Sequence, residues 1–485
     1  MSLDTLIKNA GGGETLTGAF GMTELTAMNK ALEAGYGSDS ANLEGGAALR
    51  IQSLDTTMQA TVQDNKHFAL FNRLPKPNAT ATVDEWTEQY GVGGVLGGST
   101  NTESGVAEEA EGDYARQVGQ VKYMSTYRKV SLVLNAQNNI ISAKAAEQAN
   151  GALQLLSDIE YLSFEGNDAV VPTEFNGIQR QIELLDSVDH VIDMKGAALE
   201  NIEPISRAAE TVWGIENFGT STDIFMPGCV QTDLNNKLDP AFRVSLNGSG
   251  QDLAYGAHVA KIKTAFGEIG TTQDVFCRDE KMKRVFQLRN ASHAKIAAKL
   301  TGMAPTVAVA TNASGGASSA WQTAHAGQYF YVVTGINHKG QSTAVVSGQV
   351  AVAAGGKNTI TITASVGGEE TGYVIYRSRK NGTNALSDFR EMKRIPRTGA
   401  VTVFDDLNRD IPGSTSAFVL NLRASDHAIS WKQFMPMIKI PMAAVNSPID
   451  PWLQMICGYL RITKRRQHVV IKNIIANGQL WKPFA

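Results

Sequence analysis

The sequence predicts an α+β protein into which an all-β module is inserted. Three observations carry that reading. From Ser142 to Leu238, helical apolar spacing alternates with strand patterns of mixed length. Residues 303–420 then lose every helix signal and turn rich in Ala, Gly, Ser, Thr and Val, with short strands between turns. From Phe418 onward the mixed character returns, so the β segment interrupts a domain and is not appended to one.

Composition bounds the function classes. The 485 residues suffice for two to four domains. A hydrophobic content of 43% with 19% charged residues is ordinary for a folded chain. The net charge of −3 supplies no basic field for reading nucleic acid. Cys229, Cys277 and Cys457 are far apart and odd in number, which predicts buried free thiols and neither a disulfide framework nor a zinc site. The first thirty residues lack a cationic start followed by an apolar run, so no signal peptide is expected. No stretch approaches the roughly eighteen apolar residues of a membrane span.

In chain order, residues 1–65 mix Gly-rich loop with short helical pieces and read as an arm. Leu49, Ile51, Leu54, Met58 and Val62 recur near helical spacing, so part of the arm is expected to dock. "LPKPNATATV" (Leu74 to Val83) is extended, because each Pro drives its predecessor out of the helical region. A polar ribbon follows. Trp86, Glu88 and Tyr90 share a face going out. On the return, Val121, Tyr123, Ser125 and Tyr127 oppose Lys122, Met124, Thr126 and Arg128. The tip, Gly91 to Gly112, has no apolar periodicity, and a two-stranded ribbon is marginal alone in water.

"SAKAAEQANGALQLLSDIEYLSFEGND" (Ser142 to Asp168) is the strongest helix, with Ala145, Ala149, Ala152, Leu153, Leu156 and Ile159 as its apolar face. Ser142 caps it, Gly166 and Asn167 stop it, and Gly151 is expected to mark a bend. A short helix is expected within Pro172 to Glu183, a second helix over Glu200 to Asn217, and a strand, Pro-Gly turn and helix over Thr222 to Leu238. Within the β segment, "QYFYVVTGINHKGQS", "NTITITA" and "TGYVIYRSRKNG" are strong strands. The aromatic pair, Val-Val and Asn-x-x-Gly-x-Ser run resembles fibronectin type III or immunoglobulin-like modules. "HAISWKQFMPMIKIPMA" and "WLQMICGYLRITKRRQHVVIKNI" supply the closing strands and a short helix.

Charge is uneven. From Ala79 to Val121, Asp84, Glu85, Glu88, Glu103, Glu108, Glu109, Glu111 and Asp113 face Arg116 alone, a local charge of −7. The basic runs Arg278 to Arg284 and Arg461 to Arg466 are candidate complements. Catalytic chemistry is not visible. There is no HExxH and no GxSxG, "GVGGVLGG" lacks the Lys-Ser/Thr ending of a phosphate loop, and Asp405-Asp406 reads as a turn between strands.

The order of parts resembles the major capsid proteins of tailed bacteriophages with the Hong Kong 97 fold. "LRIQSLDTTMQ" resembles the arm, and "EWTEQYG" through "YARQVGQVKYMSTYRKVS" the extended loop. "NGALQLLSDIEYLSFEGND" with "EFNGI" resembles the spine helix and its following loop, and "FDDLNRDIPGSTSAFVL" and "WKQFMPMIKIPMA" resemble the returning strands. The resemblance implies an N-terminal arm (1–65), an extended hairpin loop (66–134) and a peripheral domain (135–240 and 420–485) with its spine helix at about 142–165. It further implies an axial domain (241–302), with an inserted immunoglobulin/fibronectin-like sandwich and return strands at 303–419. The implied function is structural: hexamers and pentamers closing into an icosahedral virion shell around phage DNA, assembled in the bacterial cytoplasm. Expected inter-subunit contacts are Trp86, Glu88, Tyr90, Glu108, Glu109, Glu111, Asp113, Arg116, Lys122, Arg128, Arg461, Lys464, Arg465 and Arg466. Expected partners are copies of itself, a scaffolding protein, a portal, cement proteins and weakly contacted DNA, with no cofactor, metal or membrane. About 65 residues precede the loop, so a separate scaffolding protein is expected, and the absence of Lys from Asn78 to Val121 predicts no isopeptide welding there. The alternatives are an encapsulin-type nanocompartment shell and a secreted fibronectin-module adhesin or enzyme.

Overall fold

The structure is a computed structural model that describes residues 67–107, 109–137, 142–185, 188–214, 217–237, 259–277, 304–338, 340–445 and 447–484. The arm, Glu108, the Arg278–Arg284 run and most of the expected axial domain lie outside the described residues.

After one short turn of helix, α1 (Ala69–Arg73), come β1 (Val83–Gly91), β2 (Asp113–Gln120) and β3 (Lys122–Ser131). Next are α2 (Leu132–Ala136), α3 (Ala143–Glu165), α4 (Ile178–Glu183), β4 (Val191–Asp193), α5 (Glu203–Trp213), β5 (Asp223–Met226), α6 (Gly228–Lys237), β6 (Lys261–Thr264) and β7 (Gly267–Gln273). The β segment holds β8 (Thr306–Asn312), β9 (Gly327–Tyr329), β10 (Tyr331–Asn337), β11 (Gly340–Gln341), β12 (Val345–Val346), β13 (Val350–Val352), β14 (Lys357–Thr363), β15 (Gly372–Ser378), β16 (Phe389–Pro396) and β17 (Val401–Asp406). The chain closes with β18 (Thr415–Leu420), β19 (Ile429–Pro441), β20 (Ile449–Ile462) and β21 (Val469–Ile474).

A six-stranded mixed sheet, in the order β4-β21-β18-β5-β7-β6, is built from both sides of the β segment. Ile205, Ala208, Ala209 and Val212 of α5 cover one face, packing on Val419, Val469 and Ile471. Phe225, Phe418 and Val470 point the other way, toward Phe164 of α3. Strands buried on both faces read as unbroken apolar runs, which is why "DIFM" and "SAFVL" show no alternation.

The long helix starts and stops where the sequence places it, with Ser142 accepting the Ala145 N–H. Its buried residues are Gly151, Leu155, Ile159, Glu160, Ser163 and Phe164; of the expected face Ile159 is buried and Leu156 packs on the core, while Ala145 and Ala149 are exposed. The helix runs unbroken through Gly151, where a Cβ would sit 1.7 Å from Gln454 Oε1. Gly therefore lets β20 approach the helix, and Gln454 donates to the Gln148 carbonyl at 3.0 Å.

In the β segment, a five-stranded sheet (β11-β10-β15-β16, with β12 also on β10) and a three-stranded one (β17-β14-β8) share one apolar core that includes Tyr329, Tyr331, Val333, Ile360, Ile362 and Ile375. The other face of the larger sheet is also covered, with Val332, Val374 and Phe389 on Val170 and Val171 of the loop after α3. The C-terminal tail adds a strap. Trp481 is buried, donates to the Asp388 carbonyl and lies under Arg390, and the Phe484 ring stacks on His325 at 3.8 Å.

Asp405 and Asp406 correct the sequence reading. They end β17 and do not form a turn. Asp406 holds the fully buried Arg377 at 2.6 Å and accepts the Tyr331 hydroxyl at 2.7 Å, while Arg377 lies over both the Trp321 and Tyr329 rings. Cys277 and Cys457 are buried, and Cys229 is half-buried. Removing one member of a buried ion pair strands the other charge, so Asp406→Ala is expected to cost about 3–5 kcal/mol. Denaturant unfolding followed by Trp fluorescence measures it, and a loss below about 1 kcal/mol would contradict this role for the pair.

Candidate subunit-contact surface

The ribbon is not one continuous pair of strands. Its return strand breaks at the buried Val121. β2 pairs antiparallel with β1, Val83 opposite Gln120 and Gln89 opposite Tyr114. β3 instead joins β20, Leu453 opposite Tyr127, as the edge of a three-stranded sheet β19-β20-β3. Nor does the ribbon lack support. Strand alternation puts Asp84, Trp86, Glu88 and Tyr90 on one face, and that face lies on the chain's own β20 and the turn after it.

Polar contacts fasten this root. Asp84 accepts the Tyr459 hydroxyl at 2.6 Å and an Arg461 N–H at 3.3 Å, with Lys432 Nζ at 3.8 Å. Burial, together with the Asp84 carboxylate, raises the Tyr459 phenol above its ordinary value, keeping it a donor. Glu88, only 8% exposed, accepts Trp86 Nε1 and the Tyr90 hydroxyl, each at 2.6 Å. Arg461 lies over the Trp86 ring and Arg466 over the Tyr90 ring, at 5.8 and 5.5 Å. Gln117 of β2 donates to the Tyr90 hydroxyl and accepts from Arg465 at 3.4 Å. Beside these, Gly119 lies flat on the Tyr459 ring, where a Cβ would come within 2.4 Å.

Thus Trp86, Glu88, Tyr90, Arg461, Arg465 and Arg466 meet one another within one chain. Lys464 is exposed beside Asp426. Lys122 donates to the Pro172 carbonyl at 2.7 Å, and Arg128 spans to Glu147 and Gln154 of α3. Arg116 pairs with Glu85 on the exposed face of the hairpin. Glu109, Glu111 and Asp113 are exposed and lie apart from the basic run.

Beyond the root, the described residues of 92–112 form no strand. Gly93, Gly94 and Gly97 turn the chain at φ of +83°, +76° and +82°. Here Val92, Val95, Leu96 and Val106 are 80–91% exposed. These open apolar side chains are set among the acids Glu103, Glu109 and Glu111. Tyr123 and Tyr127 on β3 and Leu132, Val133 and Leu134 at α2 add exposed apolar area. Sequence reasoning chose the root residues and missed these tip side chains; the signal was the apolar content of "GVGGVLGG" itself. No group of three or more metal-ligating side chains and no helix long and apolar enough to cross a membrane occurs among the described residues.

No protein-family model matches the chain. It is 26% identical over 470 residues to a chain of Enterococcus phage phiEF24C provisionally described as a major capsid protein, spanning 93% of this chain and 96% of that one. It is 24% identical over 466 residues to the major capsid proteins of Staphylococcus phages S25-3 and K, spanning 92% of this chain and 94% of theirs. Among solved structures, the capsid of a native GTA particle aligns at a TM-score of 0.47 with 8% identity, over 91% of this chain and 100% of that one. A structure from Mycobacterium phage Bobi aligns at 0.44 with 10% identity, over 92% and 100%.

Gly119→Val would wedge the hairpin off Tyr459. Limited proteolysis is expected to cut within residues 83–120 at least several-fold faster than in the wild type. An unchanged digestion rate would show that the root is not held as described.

Proposed function

We infer that this chain is a major capsid protein, the subunit from which the shell of a bacteriophage is built. Its role is structural and not enzymatic. The observation that carries this reading is the end-to-end span of the likeness to phage major capsid proteins, at least 92% of this chain and 94% of each relative.

The geometry supplies a physical route to assembly. A root locked to its own subunit aims the tip outward, and the tip can bury Val92, Val95, Leu96 and Val106 only on another copy. Each such burial contributes roughly 1.5–3 kcal/mol. Repeated around a ring of subunits, contacts of this size hold a closed shell that no single contact would. We assign to the tip and its acids Glu103, Glu109, Glu111 and Asp113 the role of leading inter-subunit contact, with Tyr123 and Tyr127 as secondary area.

The arrangement in the proposal is that of the Hong Kong 97 fold, with hexamers and pentamers in an icosahedral shell around DNA. Residues 66–134 act as extended loop, 135–240 and 420–485 as peripheral domain, and 241–302 as axial domain. The two sheets on the shared core between residues 304 and 406 are an inserted immunoglobulin-like module. Its outer strands, where Val401 and Val403 are exposed, face the outside of the particle. A scaffolding protein and a portal act during assembly, cement proteins decorate the shell, and contact with DNA is weak and independent of sequence.

Val95→Asp with Leu96→Asp is expected to reduce particle yield at least tenfold while the soluble subunit keeps its circular dichroism spectrum. Normal shells from this variant would remove the tip from assembly. Particles boiled in detergent are expected to run as a single-subunit band, because residues 78–121 contain no Lys to weld; a ladder of multiples would contradict this.

A further inference from the structure

One titratable pair stands apart from the contact surface. Glu160, on α3, is completely buried, and Asp274, just after β7, is 1% exposed. Glu160 accepts the backbone N–H groups of Leu70 and Phe71 at 2.7 and 2.9 Å. Asp274 accepts the Phe276 N–H through Oδ1 at 2.8 Å and donates its own N–H to the Met226 carbonyl. Its Oδ2 is buried with no hydrogen-bond donor, and its carboxyl interacts with that of Glu160. Two interacting carboxyl groups in a buried site are stable together only when they hold a proton between them. The same junction is closed by the Phe68 ring stacked on Phe276, with centroids 5.7 Å apart.

The charged surroundings are sparse. Lys76, which follows α1, acts on Glu160 and sits over the Phe71 ring at 4.2 Å. Arg73 of α1 is engaged by Asp223 of β5 at 2.7 Å and by Thr272 of β7.

We propose that Glu160 and Asp274 share one proton and so latch two chain segments, 68–71 and 274–277, onto the long helix, which both loosen together when that proton leaves for solvent. The inference does not depend on the shell reading. Its sign follows from where the proton is held. Burial, then the neighbouring Glu160 carboxylate, pushes Asp274 well above the ordinary carboxylate range, so the folded chain keeps a proton the unfolded chain has lost. Latch stability is full below the ordinary Asp range and falls as pH rises toward the raised folded value.

Amide hydrogen exchange on the full chain tests this through the protection factors of Leu70 and Phe71, taken relative to free amides, from about pH 5 to 9. In the wild type, protection is expected to fall by up to about tenfold per pH unit over part of that range. Asp274→Asn keeps the shape and donates an amide N–H to Glu160, so its protection should stay flat. Glu160→Gln weakens the acceptor for both backbone groups and should lower protection at every pH. Parallel curves for wild type and Asp274→Asn would overturn the latch. If Asp274→Asn does not fold, infrared spectroscopy of the wild type decides: a protonated-carboxyl band at neutral pH supports the shared proton, and its absence rejects it.

Discussion

A single carboxylate, Asp84, decides where the hairpin can point. It lies 375 residues from Tyr459 in sequence, yet receives that hydroxyl at 2.6 Å, with Arg461 and Lys432 completing its surroundings. A largely buried ion cluster is costly to part, because each separated charge would keep its desolvation penalty. The half-buried face of β1 repeats the arrangement at Glu88, whose two acceptor oxygens are both used by neighbours on the same strand. The strand pairing ends near these contacts, and the tip beyond them is exposed. On the proposed reading, a root held this way pre-aims the tip, which then loses less entropy on docking than a free loop would.

The rest of the subunit is tied so that force on the hairpin meets a stiff body. β3 runs on from the hairpin into the sheet that packs on α3, and the Gln454 side chain of β20 reaches that helix where residue 151 has no side chain. The β segment is fixed at three places: the Val170–Val171 contact, the Thr371 hydroxyl donated to the Val170 carbonyl at 2.7 Å, and the tail with Trp481. A module held this way moves with the subunit and does not swing on a linker.

Local signals were readable in the sequence and distant pairings were not. Ser142 as a cap, the strand alternation of Lys122 to Arg128 and the strands around Ile360 and Tyr373 all depend on neighbours in sequence, and the structure has them in place. The apolar face of α3 was read correctly at Ile159 but not at Ala145 and Ala149, which satisfy helical spacing without needing burial, while Gly151 has no hydrophobic signal. Glu160 and Arg377 carry no local signal of burial, and Asp406 was read as part of a turn; their partners lie 29 to 114 residues away in sequence, counting 377 to 406 and 160 to 274. The basic run Arg461 to Arg466 was matched to the ribbon's acids by charge; in the structure Arg461 meets Asp84, and composition alone does not say whether such a match lies within one chain or between two. The tip was read as featureless because its four aliphatic residues are spaced by glycines and follow neither helix nor strand period.

The central claim is that the hairpin is held at its root by its own subunit and completed at its tip by another. Hydrogen exchange of residues 83–120, compared between the isolated subunit and assembled particles, tests it most directly. The account predicts that the root, 83–90 and 114–120, is protected in both, while 92–112 exchanges freely in the subunit and becomes protected in particles. A tip already protected in the lone subunit, or still unprotected in closed shells, would contradict it.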